Sequence, residues 1–181
     1  MRNNIRTKVL TLMMALGLLA SGALAANKAK KDDLGTLNQV RKEILKLPYY
    51  GVFDSIGFKV DGETVTLFGS VVRASTRKDA ERRIAKLESV DRVINQIQVL
   101  PPSRFDDTIR VRAYRSIANT GGLYRYVWAN APAVHIIVRN SHITLEGNVS
   151  NEGDKRLVTF AVNSIPGVFS VTNNLRVERN S

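Results

Sequence analysis

A gap-free internal repeat constrains this chain more than any other feature. Displacing the sequence by 78 residues lays 58–99 on 136–177, and nine of the 42 pairs are identical, among them Val60/Val138, Thr66/Thr144, Leu67/Leu145, Gly69/Gly147, Val93/Val171 and Asn95/Asn173. Six further pairs stay apolar, for example Phe58/Ile136, Ala80/Val158 and Ile84/Val162. Matches concentrated at apolar positions mean that both copies build the same core, so the chain is two copies of one unit.

Each copy reads α-β-β-α-β. Leu37, Val40, Ile44 and Leu47 recur at helical spacing before the first hairpin, and Ile109, Ala113 and Ile117 do so before the second, behind Asp106 and Asp107, whose charge suits a helix start. Phe58 and Val60 alternate inward, Gly62-Glu63 turns, and Val65, Leu67, Gly69 and Val71 alternate back. The second hairpin runs through Ile136 and Val138, turns at Asn140-Ser141, and returns through Ile143, Leu145, Gly147 and Val149. Helices near 74–87 and 152–164 and final strands near 91–99 and 169–177 complete the units. The expected class is α+β: two tandem αββαβ sandwiches, each a three-stranded sheet covered by two helices. The expected layout is a first unit at 36–100, a linker at 101–105 beginning Pro101-Pro102-Ser103, and a second unit at 106–178.

The first 25 residues stand apart. Arg2, Arg6 and Lys8 precede the apolar run VLTLMMALGLLA and the small residues Ala23-Leu24-Ala25. That is a cleavable secretory signal, too short in its apolar part for the roughly 20 residues that span a bilayer. Residues 26–35 read as a solvated, disordered tail. The expected compartment is therefore the periplasm. The chain carries 27 Lys+Arg against 16 Asp+Glu, a formal charge of +11 that falls to +8 without the signal. In that compartment a cationic protein meets phospholipid headgroups and wall polymers rather than nucleic acid. The absence of cysteine excludes thiol catalysis, cysteine-held metals and a lipid-modified N-terminal cysteine, so the protein is not expected to be a lipoprotein.

The return strands of the two hairpins, 65–71 (VTLFGSV) and 143–149 (ITLEGNV), followed by 89–99 (SVDRVINQIQV) and 167–177 (GVFSVTNNLRV), resemble the BON domain. Only Ser89, where glycine is usual, departs from the pattern. The tandem arrangement behind a secretory signal is similar to the osmotically induced periplasmic proteins. The resemblance implies αββαβ folding, binding to phospholipid surfaces and a role in envelope integrity. It implies no catalytic residues and no cofactor.

The residues themselves offer several candidate sites. Gly69 and Gly147 are read as structural positions facing the helices, and Asn95 and Asn173 as inward side chains that bind nearby backbone groups. On the second helix of the first copy, Lys78, Arg82 and Lys86 lie opposite the buried stripe of Ala80, Ile84 and Leu87, with Arg77 and Arg83 on its flanks. This face suits anionic headgroups; the alternative is a solvated surface offset by Asp79, Glu81 and Glu88. The second copy replaces Asp79 and Arg82 by Leu157 and Phe160, a face for the neighbouring unit or for a docking partner. It also carries five extra residues within 119–132, around Tyr124, Arg125, Tyr126 and Trp128, which suit either a lipid–water interface or cover for a small core. Tyr49, Tyr50 and Phe53 read as core cover in the first copy. His135 and His142 fall opposite Glu146 and Arg139 and are too far apart to share a metal readily.

No nucleophile stands beside a base and no phosphate loop is present, so no enzyme is expected. The expected function is peripheral attachment to anionic phospholipid. The alternative is a periplasmic protein-interaction or chaperone-like module gripping an envelope protein through Leu157 and Phe160, or through Phe68 and Ile137. Oligomeric state is not encoded in these patterns.

Overall fold

A computed structural model describes residues 34–128 and 131–178. The expected signal segment and most of the tail lie outside them. Helix α1 occupies 34–45, so Leu34 and Gly35, assigned to the tail, are already helical. Strands β1 (Ser55–Asp61) and β2 (Thr64–Val71) form the first hairpin. Helix α2 (Ala74–Ile84) crosses to β3 (Arg92–Asn95) and β4 (Gln98–Val99). The second unit runs α3 (Arg104–Asn119), α4 (Tyr124–Val127), β5 (Val134–Arg139), β6 (His142–Val149), α5 (Glu152–Asn163), β7 (Ser170–Asn173) and β8 (Arg176–Val177). Arg104 and Phe105, placed in the linker, begin α3, because the Ser103 hydroxyl accepts from the Asp106 amide and caps the helix there.

In each unit the hairpin's second strand is central. It pairs antiparallel with the first strand and parallel with the two short final segments. The hairpin registers follow the alternation: His135 opposes Glu146, and Arg139 opposes His142. The single final strand expected from sequence is broken in both units, and the asparagines explain the break. Asn95 Oδ1 accepts from the Ile97 amide at 3.1 Å, and Asn173 Oδ1 from the Leu175 amide at 2.8 Å. Each side chain thereby replaces a ladder bond two residues on. Its Nδ2 ties the break to the neighbouring helix, at the Arg77 carbonyl and Glu81 in the first unit and at the Lys155 carbonyl and Thr159 in the second.

The two glycines are structural for a reason other than the one expected. Gly69 and Gly147 have φ of +115° and +116°, which side chains rarely adopt. A Cβ at either position would strike the backbone of the preceding chain, at the Ser55 and Ala133 carbonyl oxygens, rather than a helix. The close approach leaves room only for glycine at this point of each central strand.

Val40, Ile44, Val65, Leu67, Ala80 and Ile84 form the heart of the first core. Ile109, Ala113, Ile136, Leu145, Val158 and Val162 form that of the second, which is extended by Leu123, Tyr126 and Val127 from the inserted segment.

Candidate functional site

The outward face of α2 keeps its cations in water, but they are not equivalent. Arg77, Lys78 and Lys86 are exposed, and none has an ion-pair partner among the described residues. Arg82 is also exposed but reaches back one turn to Asp79. Arg83 is half-buried and reaches Glu43 of α1 at 3.4 Å, whose carboxyl is held below the usual carboxylate range chiefly by Lys46 and then by Arg83.

The inserted segment divides in two. Tyr124 and Trp128 are exposed, the latter by 74%. Tyr126 is buried at 5%, which removes it from any interfacial role. Its hydroxyl accepts from the Ser150 amide at 3.0 Å and from the Arg125 guanidinium, and donates to Asp154 at 2.6 Å. Arg125 bonds the same carboxylate at 2.6 Å and stacks on the Tyr126 ring. Arg125 and Tyr126 thus pin the insertion to the start of α5, while Tyr124 and Trp128 remain accessible. On α5, Leu157 and Phe160 face solvent, Phe160 by 72%. Neither fills the boundary between the units. No hydrogen bond or ion pair among the described residues joins the α2 face to the inserted segment.

That boundary is filled from the first unit, by Val52 and by residues expected to cover its own core, of which Tyr50 does also pack on that core. Tyr50 lies 5.6 Å from the His135 ring, and Phe53 meets Tyr114 edge-on at 6.4 Å. Val52 and Phe53 pack on the second core, and the Val52 carbonyl accepts from the Ile136 amide at 2.7 Å. Tyr49, the remaining member, is exposed beneath Arg73. Asp54 closes this clasp by accepting from the Gly51 and Val72 amides at 3.1 and 2.7 Å. Burial raises the Asp54 pKa against those two donors and pushes the Tyr50 hydroxyl up to about 12. Burial likewise lowers the His135 pKa, opposed by contacts with the Gly51 carbonyl, Asp54 and Glu146.

Two successive units with one strand order, one broken final strand and one glycine bend match a single family model twice, the BON domain, at residues 33–101 and 106–179. The protein belongs to the BON domain family. BON domains are known for membrane and phospholipid association and are generally non-catalytic. No curated protein matches the chain. Among solved structures it is similar to CdsD, a structural protein of the type III secretion system of Chlamydia trachomatis, with 11% identity, a TM-score of 0.32, and coverage of 78% of this chain and 91% of that one. The C-terminal domain of CdsD gives 12% identity, a TM-score of 0.33, and coverage of 78% and 96%.

Among the described residues no helix is long and apolar enough to cross a membrane, and no group of three or more histidines and carboxylates could hold a metal. Two charges of the second BON domain are buried: Asp106, read from sequence only as a helix-start charge, and Arg110, which sequence reasoning missed. Asp106 accepts from the Asn140 and Ser141 amides at 2.9 Å each, holding a turn whose residues have φ of 49° and 67°. Arg110 bonds Asp107 and donates to the Val138 carbonyl at 2.7 Å. The available signal was spacing: Arg110 lies one turn after Asp106 and three residues before Ala113, on the buried side of α3.

Proposed function

We propose that the protein attaches peripherally to anionic phospholipid in the periplasm and supports envelope integrity. The observation that carries this reading is the outward face of α2, where Arg77, Lys78 and Lys86 stand exposed and, among the described residues, without ion-pair partners. Each such cation contributes about 1 kcal/mol of attraction near an anionic surface. Trp128 and Tyr124 supply aromatic side chains suited to shallow insertion at the headgroup level. Arg82 and Arg83 support the field of this face although each is paired.

The test is flotation of the mature chain with phosphatidylglycerol or phosphatidylcholine vesicles across a salt series. Binding is expected only to the anionic vesicles, weakening with salt, and is expected to be lost when Arg77, Lys78 and Lys86 are all replaced by glutamate. Failure to float at low salt overturns the reading. The exposure of Leu157 and Phe160 favours a second reading, capture of an envelope protein by α5. Under it, Leu157→Asp with Phe160→Asp abolishes partner crosslinking while the α2 replacements leave it intact.

A further inference from the structure

The two BON domains end their sheets differently on the side where they meet. In a hairpin with a two-residue turn, the residues flanking the turn bond each other, and every second residue before them turns its backbone groups outward. Asp61 opposes Thr64 and Arg139 opposes His142, so the outward groups belong to Ile56, Phe58 and Val60 in β1 and to Val134, Ile136 and Val138 in β5. The β5 edge is blocked at two points: Val52 takes the Ile136 amide and Arg110 takes the Val138 carbonyl. The β1 edge is not. The Ile56 amide meets the Tyr50 hydroxyl. β1 pairs only with β2, and among the described residues no loop or side chain bonds the outward groups of Phe58 or Val60.

A groove of about 510 Å³ meets this open edge at Phe58 and is lined also by Arg41, Tyr50, His135, Glu146 and Arg176; the edge continues beyond it to Val60. Arg41 and Arg176 are exposed and have no ion-pair partner among the described residues, whereas Glu146 is held by Asn174. Backbone donors and acceptors in strand geometry are matched by another backbone, and two free guanidinium groups favour carboxylates. We propose that this groove binds an extended acidic polypeptide segment, which pairs with β1 at Phe58 and Val60 and places carboxylates at Arg41 and Arg176. This activity is separate from lipid attachment through α2.

The test uses the full chain and a short fluorescein-labelled peptide of alternating valine and glutamate, with anisotropy and residue-resolved amide exchange as readouts. In the free protein the Phe58 amide is expected to exchange much faster than its counterpart Ile136. The peptide should raise anisotropy and slow exchange at Phe58 and Val60. Arg41→Glu with Arg176→Glu, both surface changes, should weaken binding at least about tenfold, and a peptide N-methylated at every amide should not bind. Equal binding of the methylated peptide, indifference to the double variant, or protection elsewhere overturns the proposal. Protection of Phe58 and Val60 without peptide, rising with protein concentration, also overturns it by making a second copy of the chain the occupant.

Discussion

Phe58 and Ile136 hold one position in two copies of the same unit, yet the Ile136 amide is covered and the Phe58 amide is open. The cover comes from outside the repeat. Val52 reaches across from the first domain to the Ile136 amide, and Arg110 blocks the next outward carbonyl from α3. An uncovered sheet edge is a template for further pairing, which proteins normally blunt. Here the repeat specifies the unit, and the segments that differ between copies specify what each unit can meet. The same holds for the second helices. α2 turns arginine and lysine to solvent, whereas α5 turns out Leu157 and Phe160. α5 also starts with an Asn151 side-chain cap that α2 lacks.

The largest effects should test what the domains share. Gly69→Ala and Gly147→Ala each combine a positive φ with a backbone collision, so each should cost about 3 kcal/mol or more. Urea denaturation followed by amide exchange should locate the loss in the domain that carries the change. Unequal losses would mean that the two bends are not equivalent.

Asp106→Ala should break the symmetry next. It leaves the Asn140 and Ser141 amides without their acceptor in a turn that needs it, at a cost of about 3 kcal/mol confined to the second domain. Loss of protection at β5 and β6 with β1 and β2 unchanged is the expected pattern. Tyr126→Phe is smaller, about 1–2 kcal/mol, because it deprives the Ser150 amide and Asp154 of the hydroxyl while keeping the ring. A loss in lipid binding alone, with unchanged thermal stability, would return Tyr126 to the interfacial set.

The smallest effect concerns the clasp. Burial lowers the His135 pKa below 6.5, so the unfolded or undocked form takes up the proton first as pH falls. The stability due to neutral His135 is complete above about 6.5 and declines as pH drops through the lowered value. Tyr50 does not titrate in this range. A pH series of thermal unfolding should show the decline between neutral and mildly acidic pH, and His135→Gln should flatten it. An identical slope in the variant would assign the effect to another group.

The hairpin registers, the buried stripes of the helices and the order of elements were legible because side-chain period alone decides them: two along a strand and 3.6 along a helix. The glycines were legible as structural, but the group they avoid was not, since the colliding carbonyls belong to residues 14 positions earlier. The aromatic cluster at 49–53 illustrates the limit most directly. Its hydrophobicity requires cover but carries no address, and Phe53 found Tyr114 rather than the core beside it. Tyr126 and Trp128 are two residues apart in one insertion, and composition treats them alike. Asp154, the Ser150 amide and the second core make Tyr126 a buried anchor, while Trp128 stays exposed.

The sequence by itself determined a repeated αββαβ unit, its cores and its excess of positive charge, because these follow from local periodicity and composition. The tertiary structure decided which sheet edge is closed, which cations are paired and which aromatics reach solvent. Those outcomes depend on which groups folding brings together: Val52 against Ile136 across the two domains, Glu43 against Arg83 and Asp154 against Tyr126 within one.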